Sequence, residues 1–379
     1  MGLDTLMALR SNRPAPKPLD NAAVAVEGTR LFTEGDDLYV AMLASIRSAR
    51  DSVLMESYIF SDDEIGWQFM QALVERAAAG LDVRLHLDAA GALGSSSRVM
   101  ERHLRERGVF LKWFHRWNWR HPLRYNRRNH RKLLIVDDQV AYVGGFNIHR
   151  QSSRRFYGDA RWRDTHAAMT GALVDDAARL FDTFWRGHRH WMPAQRGRLA
   201  PTLVSNNTRT CRHRIHCLYS DAFAGARERI FLTTPYFVPD LLTQQRLIRA
   251  ARRGIDVRLL VPSKSDVPIT RWAAQAFYDA LMTAGMRIYE YQPRMLHAKT
   301  AVIDGDWAAV GTANLDYRSF FLNYELILAS GEPGFCSQLE QHFLNDLTES
   351  LQITPVNWGR RRWPGRILEA FGWIMRRWL

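Results

Sequence analysis

Two short segments carry side chains able to work on a phosphodiester. The first is His130-Arg131-Lys132-Leu133-Leu134-Ile135-Val136-Asp137, followed after six residues by Gly144-Gly145-Phe146-Asn147. The second is His297-Ala298-Lys299-Thr300-Ala301-Val302-Ile303-Asp304, followed after six residues by Gly311-Thr312-Ala313-Asn314. Residues i and i+2 of a strand face the same side, so each histidine is expected to project beside its lysine from an otherwise apolar strand. The glycines are expected to turn the backbone tightly and return the asparagine to the same end. Phosphodiester exchange needs a nucleophile, an acid for the departing alkoxide, and cations or donors for the phosphoryl oxygens. One copy supplies an imidazole, an ammonium and an amide; two copies about a pseudo-twofold axis supply the whole set. This chemistry calls for no metal, and no metal or cofactor is expected. One such motif is weak evidence, whereas two with matching tails inside a duplicated unit carry a specific signal.

The surrounding chain repeats in the same order. Gly80-Leu81-Asp82-Val83-Arg84-Leu85 recurs as Gly254-Ile255-Asp256-Val257-Arg258-Leu259, and 52–60 recurs as 229–237. Each unit reads as α/β. Helical periodicity covers 37–49, 66–79 and 241–253, and strand-like runs cover 53–60, 83–87 and 257–261. Gly80 is a candidate helix C-cap. Strand, helix, strand in succession predicts parallel pairing. The chain turns polar between 192 and 207, with Pro193, Gly197 and Pro201, and the boundary between the units is placed there. The expected layout is an N-terminal extension (1–26), a first domain (27–195), a second (208–350) and a basic C-terminal segment (351–379). Each domain should hold a parallel or mixed sheet flanked by helices, with the active site at their interface.

With 379 residues and 46% hydrophobic content, the chain can bury a large core without disulfides. Its cysteines, Cys211, Cys217 and Cys336, are odd in number and show no framework spacing, which favours a reducing compartment. The net charge of +13 seeks an anionic partner, either nucleic acid or bilayer phosphates. No signal-peptide pattern or apolar run of the ~18 residues needed for a spanning helix is expected, so membrane contact would be peripheral.

The paired motifs resemble the HKD motifs of the phospholipase D superfamily, over about 27–345. The closer likeness is to bacterial cardiolipin synthases, in particular the short type without N-terminal membrane spans. It rests on Glu56-Ser57-Tyr58-Ile59-Phe60, Trp162-Arg163-Asp164-Thr165-His166, Thr234-Pro235-Tyr236-Phe237-Val238-Pro239-Asp240 and Gly311-Thr312-Ala313-Asn314-Leu315-Asp316-Tyr317-Arg318-Ser319. The resemblance implies two pseudo-symmetric phospholipase-D-like domains and a metal-independent phosphatidyltransferase working through a phosphohistidine. It implies transfer of a phosphatidyl group from one phosphatidylglycerol to another, with release of glycerol. His130 is taken as nucleophile and His297 as acid/base, although the halves are near-symmetric. Lys132, Lys299, Asn147 and Asn314 would hold the phosphate oxygens. Asp164 and Glu325, which follow their histidines at similar distances, would orient the imidazoles. Asp137 and Asp304 complete the catalytic motifs as participants or anchors, and Glu56 is a possible site acid.

Other stretches admit weaker readings. Cys211-Arg212-His213-Arg214-Ile215-His216-Cys217 is too crowded for usual zinc spacings and alternates like a strand opening the second unit. The run from Trp113 to Arg120, continuing to Arg124, Arg127 and Arg128, suits an interfacial anchor, and equally a single-stranded nucleic acid. At the C-terminus Ile367, Leu368, Phe371, Ile374, Met375, Trp378 and Leu379 share one helical face beside Arg366, Arg376 and Arg377, as in a membrane-surface helix. Docking on the protein's own core is the plainer reading of that face. Together these stretches favour an anionic phospholipid membrane over nucleic acid, at the cytoplasmic face of a bacterial inner membrane, with no obligate protein partner evident. The rival readings are a hydrolase or nuclease of the same superfamily, and a non-catalytic membrane-binding scaffold.

Overall fold

The computed structural model describes residues 28–92, 95–117, 119–120, 125–188, 191, 199–206, 213–360 and 363–375. Two mixed sheets repeat one plan. The first contains β1 (Thr29–Phe32), β2 (Ser52–Ser57), β3 (Asp82–Asp88), β4 (Phe110–Phe114), β5 (Leu133–Val136), β6 (Val140–Gly144) and β7 (His166–Thr170), ordered β1-β7-β6-β5-β2-β3-β4. In the second half come β8 (Thr202–Ser205), β9 (Arg229–Thr233), β10 (Phe237–Val238), β11 (Asp256–Pro262), β12 (Arg287–Tyr291), β13 (Thr300–Ile303), β14 (Trp307–Gly311), β15 (Leu315–Asp316), β16 (Leu326–Ser330) and β17 (Ser350–Ile353). Its main sheet runs β8-β16-β14-β13-β9-β11-β12-β17, and β10 pairs with β15 apart from it.

The parallel pairs β2–β3 and β9–β11 are joined through helices Glu64–Ala78 and Leu241–Arg252, as the strand–helix–strand reading requires. Both helices start on an aspartate that accepts two backbone N–H groups, Asp63 and Asp240. Past both ends a glycine stands at matching positive φ, 88° at Gly80 and 87° at Gly254, which a side chain would oppose.

The repeat begins earlier than its sequence likeness reveals. Edge strands β1 and β8 pair antiparallel with β7 and β16 and precede helices Gly35–Ser48 and Arg214–Gly225. The second sheet thus takes in 202–205 and 350–353, of which 202–205 and 351–353 lie beyond the expected 208–350 span. Over 213–217 the expected strand is replaced by a turn and the start of a helix. Cys211 and Arg212 lie outside the described residues, and Arg214–Gly225 is a helix with Ile215, Tyr219 and Phe223 on its buried side.

Each half has its own core, and a third apolar cluster lies between the sheets. Leu54, Leu133, Ile135 and Val143 meet Phe231, Val302, Val310 and Leu328 there, with Phe181 and Phe343 from helices Ala172–Trp185 and Pro333–Thr348. Strand β5 is therefore buried on both faces, which accounts for its unbroken Leu-Leu-Ile-Val run.

Candidate active site

Both histidine motifs arrive at one seam. His130, Arg131 and Lys132 stand just ahead of β5, and His297, Ala298 and Lys299 just ahead of β13, so the strands begin after the reactive residues rather than carrying them. Each segment is held by the opposite half. The N–H of His130 donates to the Tyr324 carbonyl at 3.0 Å, and that of His297 to the Arg163 carbonyl at 2.7 Å. The bridges Asn129–Tyr324 and Arg163–Leu296 complete the seam.

The orienting acids cross over. Glu325 of the second half lies 3.0 Å from Nδ1 of His130, and Asp164 of the first half lies 2.6 Å from Nδ1 of His297. Asp164 and Glu325 were expected to serve their imidazoles; they do so across the seam, a pairing that sequence order conceals. A carboxylate on Nδ1 selects the tautomer protonated there and leaves Nε2 for chemistry. Both histidines line a cavity of about 340 Å³, with Asn147, Asn314, Trp162, Tyr58 and Tyr236. Tyr58 stacks edge-on against His130 at 4.9 Å, and Trp162 packs on His297 at 5.1 Å.

Lys132 and Lys299 lie beneath the imidazoles, each 2% exposed. The ammonium of Lys132 donates to the His130 carbonyl at 2.9 Å, and that of Lys299 donates to the His297 carbonyl. Burial, and then the neighbouring Lys299, push Lys132 down to about 7; burial pushes Lys299 down to about 8. Burial lowers His130, with Glu325 opposing. It lowers His297 well below the usual imidazole value, with Lys299 adding to the effect. Asp164 is raised by burial. Glu325 is also buried, but the His130 imidazole, Lys132 and the Thr312 hydroxyl outweigh that and hold it below the usual value.

The glycines do not act as turns. Gly144, Gly145 and Gly311 are absent from the positive-φ positions; they permit close approach instead. A Cβ on Gly145 would stand 2.0 Å from Oδ1 of Asp164, and one on Gly311 would stand 2.4 Å from the Leu326 carbonyl. In the second copy Thr312 takes the place of Gly145, and its hydroxyl donates to Glu325.

Of the expected site residues, His130, His297, Asn147 and Asn314 line the cavity and Lys132, Lys299, Asp164 and Glu325 contact its histidines, whereas Asp137, Asp304 and Glu56 do neither. Asp137 accepts from the backbone N–H groups of Arg50, Asp51 and Ser52 at 2.8, 2.8 and 2.9 Å, and Asp304 from those of Arg227, Glu228 and Arg229 at 2.9, 2.8 and 3.0 Å. They tie the far end of each motif strand to the loop entering β2 or β9. Glu56, 1% exposed on β2, lies 3.6 Å from His86 and 3.8 Å from Arg131, behind the motif. Arg131 itself points away from its neighbours, onto the Phe184 ring and Ser205.

Sequence reasoning assigned no role to Asp266, Asp316, Arg318 or Asn323, and placed Arg128 only in the aromatic-basic run, yet all five line the cavity. Asp316, Arg318 and both tyrosines lie in the segments that carry the family likeness, which was the available signal; Asp266 had none. Burial raises Asp316 to about 6. No group of three or more potential metal ligands occurs among the described residues. His216 of the crowded Cys/His segment pairs with Asp240 at 3.0 Å.

The family model and the similar sequences agree on one family. The family model described as "Cardiolipin synthase, PLD-like domain" matches residues 42–185 and 219–347. Cardiolipin synthase A of Pseudomonas aeruginosa is 34% identical over 335 residues, covering 86% of this chain and 68% of that protein. Cardiolipin synthase 2 of Bacillus anthracis is 34% identical over 365 residues, covering 90% and 69%. Among solved structures, the phosphatidylserine synthase of Haemophilus influenzae superposes with a TM-score of 0.73 at 13% identity, over 94% of this chain and 96% of that one. The polyphosphate kinase of Porphyromonas gingivalis does so with 0.63 at 14% identity, over 91% and 53%. At such low identity these two structures speak to the fold alone.

Proposed function

The chain belongs to the cardiolipin synthase family of phospholipase-D-like proteins, and from that premise we propose that it joins two phosphatidylglycerol molecules into cardiolipin and glycerol. The observation that carries this reading is the pair of buried imidazoles in one cavity, each with Nδ1 held by an acid of the other half. Nε2 of His130 attacks phosphorus and forms a P–N bond as the P–O bond to the departing glycerol breaks. His297 gives that oxygen its proton. The hydroxyl of the second phosphatidylglycerol then returns a proton to His297 while its oxygen displaces His130 from phosphorus. Lys132, Lys299, Asn147 and Asn314 neutralise and orient the phosphoryl oxygens.

A bilayer would meet the cavity at its rim. Helix Trp363–Met375 packs its Glu369 and Gly372 side inward, with Gly372 against Trp272 and Ala273 of helix Pro268–Gln275. Ile367, Leu368, Phe371, Trp373 and Ile374 are left exposed. Thr270 of the helix beneath, and Val267 just before it, line the cavity. Trp117 and Trp119, 65% and 75% exposed, stand on the arginine-rich loop that continues to the cavity residue Arg128. No helix among the described residues is long and apolar enough to cross a membrane. These features support peripheral attachment, with guanidiniums on phosphates and indoles at headgroup depth; the face proposed, the cytoplasmic one of a bacterial inner membrane, follows from the family reading alone. Trp378, Leu379, Arg376 and Arg377 lie outside the described residues.

Incubation with phosphatidylglycerol liposomes in the presence of chelator, with lipids resolved by mass, tests the reading. Cardiolipin with released glycerol is expected. Phosphatidic acid alone would make the protein a hydrolase. Unchanged lipid with DNA cleavage would make it a nuclease, and unchanged lipid with vesicle binding alone a scaffold.

A further inference from the structure

We propose that Asp266, Asp316 and Asn323 form an acceptor subsite that selects a polyol headgroup, the glycerol end of the incoming lipid. The inference rests on the transferase reading above. The cavity lining holds two chemically distinct sets of groups. His130, Asn147 and Arg128, with Lys132 buried next to His130, are donors suited to phosphoryl oxygens. Asp266, Asp316 and Asn323 add acceptors to the same lining, with Asn323 donating its amide N–H to the Glu325 that holds His130.

An ionised carboxylate is acceptor-only, so two of them facing a phosphate cavity weaken the grip on phosphate and demand a ligand that brings its own O–H or N–H donors. Asp266 already holds the Tyr236 hydroxyl at 2.8 Å, and one oxygen of Asp316 takes the Ser319 N–H at 2.6 Å. A third acceptor points the same way. Oδ1 of Asn323, a residue 8% exposed in the cavity wall, has no hydrogen-bond partner, and neither does Oδ1 of Asn314, 4% exposed. A buried acceptor without a donor costs about 1–3 kcal/mol, which a ligand hydroxyl would recover.

The repeat shows that these acids are an addition to its shared plan. Two residues past the motif asparagine the first half has His149, bonded to Gln151 at 2.6 Å, where the second half has Asp316. Asp88, the carboxylate near the cavity in the first half, is fully buried and spends its oxygens on the N–H groups of Ala90 and Asn129. A cationic headgroup would also bring donors, but Arg128 and Arg318 line the same cavity, Lys132 and Lys299 are buried next to its histidines, and this positive charge would repel an ammonium. An uncharged polyol meets no such penalty. In the transfer step its reacting hydroxyl passes the proton to His297 and forms the new P–O bond as the P–N bond breaks. The adjacent hydroxyl stays on the carboxylates.

The test is acceptor competition in the full-length protein, with phosphatidylglycerol vesicles as donor and glycerol, ethanol and ethanolamine as competing acceptors. The wild type is expected to favour glycerol over both. Asp266→Asn and Asp316→Asn should each lower the ratio of glycerol to ethanol product at least tenfold. Asp266 is exposed, so its variant tests the idea even where Asp316→Asn fails to fold. A ratio within twofold of wild type in Asp266→Asn, or a wild-type preference for ethanolamine, overturns the subsite. Absence of any transfer by the wild type would instead overturn the transferase reading on which the subsite rests.

Discussion

The two half-sites share a backbone plan but differ in how they hold their acids. In the first half Asp164 fits only because Gly145 has no side chain, and burial drives its carboxyl upward. In the second half Glu325, longer by one methylene, takes the hydroxyl of Thr312, which stands where Gly145 does in the first copy. Glu325 stays below its usual value while Asp164 rises above. Duplication supplied two equal imidazoles, and the surroundings then made them unequal.

The comparison can be broken most directly at the acids. Asp164→Asn and Glu325→Gln should each lower kcat by roughly 10²–10⁴-fold, because an amide no longer stabilises the imidazolium or fixes the reactive tautomer. Nitrogen NMR of the imidazoles locates the effect. Asp164→Asn should shift the His297 signals and Glu325→Gln those of His130; a shift confined to the histidine of the same half would break the crossing. A smaller effect sharpens the asymmetry. Gly145→Ala puts a methyl into the Asp164 carboxylate and should cost roughly 10–10²-fold in kcat, by analogy with misplaced catalytic groups. Thr312→Ala removes one hydrogen bond to a charged group and should cost about tenfold. Equal losses in the two variants would make the halves equivalent after all.

The smallest effect on turnover is expected at the ends of the motif strands, where the halves are alike. Asp137→Ala and Asp304→Ala should leave kcat within a few-fold of wild type while lowering stability by about 1–3 kcal/mol, measured by denaturant unfolding. Burial would raise these carboxyls, but three backbone N–H groups apiece hold them below the usual value. Their contribution is therefore present above the unfolded pKa of about 3.9 and is lost as pH falls through the lower folded value. Either variant losing as much activity as Asp164→Asn would return the aspartate to the reaction.

Much of this was legible in the residues. The α/β repeat showed in the matched Gly-Leu-Asp-Val and Gly-Ile-Asp-Val segments, because strand and helix periods are local properties. The histidines and lysines followed from fixed spacing along one strand direction. What escaped depended on contacts distant in sequence. The exchange of Asp164 and Glu325 is set by how the sheets face each other, and β1 and β8 escaped because edge strands of four residues leave little periodic signal. Asp137 and Asp304, open in the sequence between participants and anchors, bond to the backbone at the far end of their strands, since spacing along a motif says nothing about which end of it the chemistry occupies. Glu56, a possible site acid by its place near the family segment, lies behind the motif beside His86 and Arg131, because proximity in sequence does not fix which face a side chain takes.

The crossed acids have a consequence for how the molecule comes to life during synthesis. The first half leaves the ribosome with His130 complete in sequence but without Glu325, almost two hundred residues downstream. Until the second half folds and docks, that imidazole has neither its tautomer fixed nor a partner to protonate a leaving group. A truncated product, or a chain caught midway, should then transfer no phosphatidyl group. The seam that shapes the cavity would in that case arm the site only when both halves are in place.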